Sequence, residues 1–240
     1  MNAFVVGCQR SGTTYLAEML DQHPRIRMVR PLQPEPKFFL SADNCRRGSE
    51  YYHELYGRAD EGTVVCEKTC SYMEHDEIPG RIRACFPGAS ILILLRNPVE
   101  RAISHYRYSV DNGLECRSIE EAMFGPEPSE RPAAISMSPY RYVSRSRYVH
   151  AVGNYLRHFP RTKVLITESI VGNADGIREV YEFLGANHGF VPRDVSRRVN
   201  AGVRGGEVSK EVRHRLAELL MPQVEELERL LDADLRKWWG

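Results

Sequence analysis

The stretch Gly7-Cys8-Gln9-Arg10-Ser11-Gly12-Thr13-Thr14 is the strongest indication of the fold of this chain. The apolar run at residues 3–6 precedes it and is typical of a buried parallel strand. Apolar side chains then recur at helical spacing through residues 15–20. A strand, a loop bounded by glycines and a helix form a phosphate-binding unit, because the amides of the first helical turn point at the anion. The sequence therefore predicts an anion site directly after the first strand.

Position 13 departs from the nucleotide-binding P-loop motif, G-x-x-x-x-G-K-[ST]. Gly7 and Gly12 have the spacing of that motif, but Thr13 stands where the motif needs lysine. In nucleotide triphosphatases this lysine reaches the β- and γ-phosphates, and a Walker-B aspartate helps to hold magnesium. The strongest later strand, residues 91–95, is followed by Arg96 instead of an aspartate. We therefore expect the loop to hold another kind of anion.

Two motifs occur in order, each after an apolar strand: Arg10-Ser11-Gly12-Thr13-Thr14 and Arg96-Asn97-Pro98-Val99-Glu100-Arg101-Ala102-Ile103-Ser104-His105-Tyr106. They resemble the 5′-phosphosulfate loop and the 3′-phosphate motif of sulfotransferases that use 3′-phosphoadenosine 5′-phosphosulfate (PAPS). Many members have lysine where this chain has Arg10. The resemblance implies PAPS as sulfonyl donor, adenosine 3′,5′-bisphosphate as product and no required metal. It also implies a set of residues that bind PAPS: Arg10, Ser11, Gly12, Thr13, Thr14, Arg96 and Ser104.

A carboxylate precedes an aromatic pair in Pro34-Glu35-Pro36-Lys37-Phe38-Phe39. Glycosaminoglycan-type sulfotransferases have a glutamate before a similar Phe-Phe pair, and this resemblance implies that Glu35 is the catalytic base. Without the resemblance, the sequence favours a loop glutamate exposed to water, with Phe38 and Phe39 anchoring the segment. His53 and His75 are the competing candidates, because histidine is the commonest general base and titrates close to neutral pH.

A second family segment, Glu-Lys-Thr-Pro-x-Tyr, is similar to Glu67-Lys68-Thr69-Cys70-Ser71-Tyr72, where cysteine replaces the proline. The resemblance implies that Lys68 neutralises the sulfonate or orients the acceptor. The alternative is a solvated lysine at a strand end. The implied catalytic residues are therefore Glu35, Arg10 and Lys68.

Three further segments carry expectations. The proline-bearing stretch 25–40 is expected to be extended or irregular, and residues 109–140 are expected to form a long irregular insertion that could act as a lid. Arg101 is interpreted as a solvated helix residue. The glycine-rich turn at residues 200–206 lies roughly where relatives fold a loop over the nucleotide, which makes Arg204 a candidate for binding PAPS.

Length and composition favour one domain, residues 1–240, with a sizeable core. Alternating strands and helices predict a three-layer α/β/α fold with a mostly parallel sheet of about four or five strands, and the resemblance implies the P-loop-like sulfotransferase fold.

A net charge of +1 gives no global attraction for nucleic acid. The first strand follows Met1 almost at once, and no apolar run approaches ~18 residues, so we expect a cytoplasmic protein without a membrane span. Its six cysteines are expected to be reduced, and their spacing supports a metal site poorly.

The reaction implied by the resemblance is transfer of a sulfonyl group from PAPS to a hydroxyl, or secondarily an amine, of a carbohydrate or small-molecule acceptor. Two other function classes stay open at this point. One is a P-loop kinase or nucleotide hydrolase, which the threonine at position 13 disfavours. The other is a non-catalytic module that binds nucleotides or polyanions.

Overall fold

A computed structural model describes residues 1–128, 138–196, 207–235 and 238 of the chain. The chain forms two compact units, of which the first comprises Met1–Leu95 with Ala151–Val199 and the second Arg96–His150 with Asn200–Gly240. The single domain expected over residues 1–240 stays a prediction. Within the described ranges no helix is both long and apolar enough to cross a membrane.

The first unit is built on a parallel sheet with the strand order β2-β3-β1-β4-β5. Every residue of β4 is buried, which explains its uninterrupted apolar sequence, since a central parallel strand is covered on both faces. The predicted α/β fold with a mostly parallel sheet is confirmed. The strands are β1 (Asn2–Gly7), β2 (Ile26–Met28), β3 (Val64–Lys68), β4 (Ser90–Leu95) and β5 (Thr162–Ile166).

Helices follow the strands along the chain, and short 3₁₀ turns occur at Phe38–Leu40, Cys70–Glu74 and Ser144–Ser146. The described helices are α1 (Thr13–Asp21), α2 (Ala42–Tyr56), α3 (Ile78–Cys85), α4 (Pro98–Asp111), α5 (Ile119–Phe124), α6 (Val149–His158), α7 (Thr167–Ile170), α8 (Ala174–Phe183) and α9 (Lys210–Leu231).

The side chains of β1 alternate between two apolar layers, as the period of a strand requires. Ala3 and Val5 join the core that α1 and α8 complete on one face of the sheet. Phe4 points to the other face, where its ring lies 5.6 Å from that of Phe39 and 6.2 Å from that of Tyr52 on α2. The first unit is therefore a three-layer α/β/α arrangement.

The order of the strands creates a binding position at the end of β1. This strand pairs with β3 on one side and with β4 on the other. The chain first forms β2 and β3 on one side of β1 and then crosses to form β4 and β5 on the other side. In open α/β sheets ligands bind outside the carboxyl ends of the strands at such a switch point. The loop at residues 8–12 lies at that end of β1.

The second unit packs α4, α5 and α9 around its own apolar core, to which Ala102, Ile103 and Leu216 contribute fully buried side chains. Asn97 caps α4, since its Oδ1 accepts the amides of Val99 at 2.9 Å and Glu100 at 3.1 Å. Ser209 caps α9 in the same way, since its Oγ accepts the Val212 amide at 3.2 Å.

In the stretch 25–40, which is expected to be extended or irregular, Ile26, Arg27 and Met28 form the extended edge strand β2 and pair with β3. Two other expectations about local structure, on residues 109–140 and on Arg101, were wrong. The stretch 109–140 is not irregular throughout, since α5 lies within it and begins with a capping box formed by Ser118 and Glu121. Whether this stretch acts as a lid stays a prediction.

Arg101 is not solvated but completely buried, at 0% exposure. Its Nε donates to Ser146 Oγ at 2.7 Å, and its guanidinium also donates to the carbonyl of Tyr142. A buried charge needs such partners to offset its lost hydration. The residue therefore joins α4 to the turn at Ser144–Ser146 within the second unit.

Candidate active site

Hydrogen bonds fix the loop after β1 to the ends of its neighbouring strands. The amide of Cys8 donates to the carbonyl of Leu94 on β4 at 2.7 Å. Thr167 Oγ1, at the start of α7, is 2.7 Å from the carbonyl of Ser11 and 2.8 Å from that of Leu95. These bonds connect the loop to the carboxyl end of β4 and to the start of α7.

The two glycines of the loop have separate structural reasons. A side chain at Gly7 would place its Cβ 2.5 Å from the sulfur of Met73, so the closely packed turn at Cys70–Glu74 excludes it. Gly12 has a φ of +80° and is the N-cap of α1. Glycine takes this left-handed conformation at no steric cost, and it lets α1 begin there.

The N-terminus of α1 has the features of an anion site. Gly12 provides no side-chain cap, and the first turn carries no acidic residue, so no carboxylate competes for the helix amides. Ser11 is completely buried, and its Oγ has no hydrogen-bond partner among the described residues. Buried hydroxyls are normally paired, so this one fits a ligand oxygen. Arg10 precedes it with a φ of +68°, a conformation that is rare for a residue with a side chain and is concentrated at functional sites.

Thr13, which replaces the P-loop lysine, turns its side chain toward the 3₁₀ turn at Cys70–Glu74. Its Oγ1 lies 2.9 Å from Cys70 Sγ, and Thr13 itself is almost completely buried. Burial raises the pKa of the Cys70 thiol well above its usual value, so the sulfur keeps its proton. The neighbouring Thr14 is half-buried in the first turn of α1.

Glu35 and Lys68 meet at the carboxyl end of β3. Lys68 Nζ lies 2.9 Å from Glu35 Oε1, and the Cys70 amide donates to Glu35 Oε2 at 3.0 Å. The Lys68 side chain is 3% exposed and that of Glu35 is 17% exposed. Both are therefore largely shielded from water, which contradicts the alternatives of an exposed loop glutamate and a solvated lysine. Their catalytic roles stay predictions.

Sequence reasoning assigned no role to Glu67, which lies completely buried on β3. Its Oε1 accepts the hydroxyl of Thr69 at 2.8 Å and that of Tyr72 at 2.5 Å. Burial raises its pKa to about 7, although these hydroxyls oppose the shift. The sequence signals were a carboxylate inside an apolar strand pattern and its place at the start of the segment that resembles Glu-Lys-Thr-Pro-x-Tyr.

The residues predicted to bind the 3′-phosphate belong to the second unit. Arg96 stands directly before the cap of α4, and its carbonyl accepts the Tyr148 hydroxyl at 2.9 Å. Ser104 lies about two turns into α4 and is half-buried. Arg204 lies outside the described residues.

Neither competing histidine contacts the Glu35 carboxylate. His53 lies on α2, where its ring packs 5.6 Å from that of Phe86. The His75 side chain is 41% exposed, and its Nδ1 is 4.0 Å from a Glu77 oxygen. Within the described residues no hydrogen bond or ion pair joins either imidazole to Glu35 or Lys68.

Comparisons with known proteins find relatives of this chain. The family model described as the sulfotransferase domain matches residues 2–200. Mouse heparan sulfate glucosamine 3-O-sulfotransferase 3A1 is 32% identical over 186 residues, which cover 76% of this chain and 45% of that protein. Human heparan sulfate glucosamine 3-O-sulfotransferase 6 is 34% identical over 187 residues, which cover 76% of this chain and 52% of that protein. The chain thus spans about half the length of these curated relatives.

A solved structure extends the similarity to the whole chain. The crystal structure of a sulfotransferase from Alicyclobacillus acidocaldarius matches with a TM-score of 0.80 and 29% identity, and the match covers 100% of this chain and 98% of that one.

Proposed function

The chain belongs to the sulfotransferase domain family, and on that premise we propose that it moves a sulfonyl group from PAPS to a hydroxyl of a carbohydrate or small-molecule acceptor. The observation that carries the proposal is the Glu35 carboxylate, held between Lys68 and the Cys70 amide in the unit that contains the loop after β1. The reaction needs a base for the acceptor proton and an anion site for the leaving phosphate. Glu35 and the N-terminus of α1 supply these two groups.

Glu35 is proposed to take the proton of the acceptor hydroxyl as the oxygen attacks sulfur. Each carboxylate oxygen has two lone pairs, and the described contacts engage one on each oxygen. A further lone pair is therefore available for the acceptor proton. The bond from sulfur to the 5′-phosphate oxygen breaks as the bond to the acceptor oxygen forms, and the electron pair leaves with the phosphate.

The cationic groups are proposed to stabilise the charge that develops during transfer. An ammonium group has three donors, and the contact with Glu35 uses one of the three on Lys68. The others can bind sulfonate oxygens. Arg10 and the amides of residues 11–14 are proposed to bind the 5′-phosphate and the sulfonate, since arginine keeps its charge and offers a planar set of donors.

Arg96 and Ser104 are proposed to bind the 3′-phosphate on the strength of their sequence motif, and Arg204 is proposed to bind the nucleotide. The 3′-phosphate distinguishes PAPS from common adenine nucleotides, so these residues would set the choice of donor. A charged guanidinium forms stronger hydrogen bonds to phosphate than a hydroxyl does. Arg96 is therefore expected to contribute more than Ser104.

The proposed acceptor class follows from the relatives. Those named above are heparan sulfate glucosamine 3-O-sulfotransferases, which favours a saccharide hydroxyl here over an amine. A cytoplasmic location stays a prediction. The kinase or hydrolase alternative gains no support, because Thr13 lies against Cys70 and supplies no cation to a triphosphate.

An acceptor screen tests the proposal. The whole chain is incubated with labelled PAPS and a panel that contains a glucosamine-rich heparan sulfate oligosaccharide, a neutral oligosaccharide and a simple phenol. We expect mass spectrometry to detect the labelled sulfonyl group on at least one acceptor and adenosine 3′,5′-bisphosphate in equal amount. Bisphosphate binding without any transfer would support the non-catalytic alternative, and magnesium-dependent ATP turnover would support the kinase or hydrolase.

A further inference from the structure

Glu67 is a buried carboxylate with no assigned role, and it stands beside the proposed base in the fold. It lies on β3 opposite Phe4 of β1, next in sequence to Lys68. It is completely buried, and its Oε1 receives the hydroxyls of Thr69 and Tyr72. Burying a carboxylate costs free energy, so packing alone does not explain a glutamate at this position.

The two hydroxyls continue toward the segment that carries Glu35. Thr69 Oγ1 accepts the amide of Lys37 at 3.3 Å, and Tyr72 Oη accepts the amide of Phe39 at 3.0 Å. One carboxylate oxygen of Glu67 is thus linked to the Lys37 amide through the Thr69 hydroxyl and to the Phe39 amide through the Tyr72 hydroxyl. We name Glu67, Thr69, Tyr72 and the two amides the hydroxyl relay.

The direction of each bond in the hydroxyl relay is determined by chemistry. The amides of Lys37 and Phe39 can only donate, so each hydroxyl must accept there and give its own proton to Glu67. Burial raises the pKa of Tyr72 well above its usual value, which keeps that proton on the phenol. Hydrogen bonds in such chains polarise and strengthen one another. A group without an acceptor oxygen at position 67 would leave both buried hydroxyls without their partner.

Packing alone does not replace these bonds. The Phe38 and Phe39 rings lie 5.0 Å apart, and they anchor the segment against Tyr52 of α2. Ring contacts fix where the aromatic side chains lie, but they leave the rotation of the preceding backbone less restricted than two hydrogen-bonded amides do. The orientation of the Glu35 carboxylate depends on that backbone.

We propose that Glu67 is a positioning residue for the transfer reaction, which acts through Thr69 and Tyr72 to hold the backbone at residues 37–39 and so to aim Glu35. This inference rests on the proposed function. It predicts that the linking hydroxyls matter for the turnover number and not for the affinity for the nucleotide.

Hydrogen exchange of the whole chain tests the hydroxyl relay without any assay of activity. Thr69→Val and Tyr72→Phe each remove one linking hydroxyl and keep the shape of the side chain, whereas Thr69→Ser keeps the hydroxyl. In peptides spanning residues 35–40 we expect the amide released in each variant to exchange about fivefold faster, the effect of losing one hydrogen bond. Thr69→Ser should exchange like the wild type. The matched control is Tyr181→Phe, which removes a buried hydroxyl bonded to the Met19 carbonyl at 2.7 Å.

Turnover with labelled PAPS and the best acceptor of the panel then tests whether the hydroxyl relay serves catalysis. We expect Thr69→Val and Tyr72→Phe to lower kcat about tenfold with unchanged affinity for adenosine 3′,5′-bisphosphate. Thr69→Ser, which keeps the hydroxyl, should have the kcat of the wild type. Unchanged exchange at residues 37–39 would overturn the inference, and so would faster exchange with wild-type kcat. If the wild-type chain transfers no sulfonyl group at all, the proposed function fails, and the exchange rates alone still decide whether the hydroxyls of Thr69 and Tyr72 hold the segment.

Discussion

Lys68 Nζ lies 2.9 Å from Glu35 Oε1 although 33 positions separate the two residues in sequence. Lys68 ends β3, and Glu35 belongs to a segment without regular secondary structure. The pair is mostly shielded from water, so the loss of either partner leaves a charge that the site no longer compensates. The strength of this pair and its effect on the reaction can be measured separately.

A double-mutant cycle measures the coupling between Glu35 and Lys68. Lys68→Met should lower the free energy of unfolding by ~2 kcal/mol in the wild-type background, the scale of a hydrogen bond between charged groups. In the Glu35→Gln background the same change should cost much less, because the unpaired carboxylate is gone. Chemical denaturation checks both values.

The control for this cycle is the exposed pair Lys163 and Glu179, whose charged atoms are 3.3 Å apart. Lys163→Met and Glu179→Gln should couple by well under 1 kcal/mol, as exposed ion pairs do. Equal coupling in the two cycles would mean that the pair of Glu35 and Lys68 has no special protection from water.

Cys70→Pro tests the second contact of Glu35. Proline has no amide hydrogen, so Glu35 Oε2 would lose the donor that lies 3.0 Å away. The backbone accepts proline here, since position 70 begins a 3₁₀ turn and Thr69 has an extended conformation. We expect kcat to fall about fivefold, the effect of one hydrogen bond, with unchanged nucleotide affinity.

Cys70→Ala is the matched control, because it also removes the thiol that contacts Thr13 but keeps the amide. A similar fall of kcat in both variants would assign the effect to the thiol. Wild-type kcat in Cys70→Pro would show that the amide does not orient Glu35.

Much of the fold could be predicted from the sequence, because its signals are local. The apolar runs of β1, β3, β4 and β5 and the cap at Ser209 follow from neighbouring residues. The edge strand β2 has three residues, and its pairing depends on β3, which lies far along the chain. Its own pattern, in a stretch rich in proline, indicated no strand.

In the site, too, some features could be predicted from local sequence, and others depend on the tertiary structure. The loop and the resemblance to a family indicated Glu35 and Lys68, but their mutual contact depends on the tertiary structure. The buried state of Arg101 depends on Ser146, 45 residues later. The hydroxyl relay joins Glu67 to amides about 30 residues earlier, and no spacing in the sequence reports such a link.

The ionisation of Glu67 should make the stability of the protein depend on pH. Its pKa rises from 4.5 to about 7 in the folded protein, so between these values the folded state binds more protons than the unfolded state. The free energy of unfolding should therefore fall as the pH rises from about 4.5 to about 7. Above that range the ionisation of Glu67 should cause no further change in stability. The contribution is on the order of 3 kcal/mol.

The variant Glu67→Gln isolates this contribution, because it keeps an acceptor oxygen and does not titrate. Urea denaturation of both proteins at pH 5 and pH 8 should show the wild type losing stability relative to the variant at the higher pH. A constant difference between the two proteins across this range would contradict the raised pKa of Glu67.

Nucleotide binding tests the proposed role of Arg96 and Ser104. Adenosine 3′,5′-bisphosphate should raise the midpoint of thermal unfolding, since a ligand at one hundred times its Kd stabilises the native state by ~2.7 kcal/mol. ADP at the same concentration should act much less, because it lacks the 3′-phosphate. Arg96→Ala should reduce the effect of the bisphosphate more than Ser104→Ala. Equal shifts with both nucleotides would contradict 3′-phosphate recognition.

The rate of sulfonyl transfer by Glu35→Gln shows whether Glu35 removes the acceptor proton. With labelled PAPS and the acceptor that the panel identifies, the variant should turn over ~10²–10⁴-fold more slowly than the wild type while it binds adenosine 3′,5′-bisphosphate equally well. Glu61→Gln, at an exposed glutamate of the same unit, should keep wild-type turnover. Near-normal turnover in Glu35→Gln, alongside an inactive His53 or His75 variant that still binds the bisphosphate, would contradict the account and assign the proton transfer to that histidine.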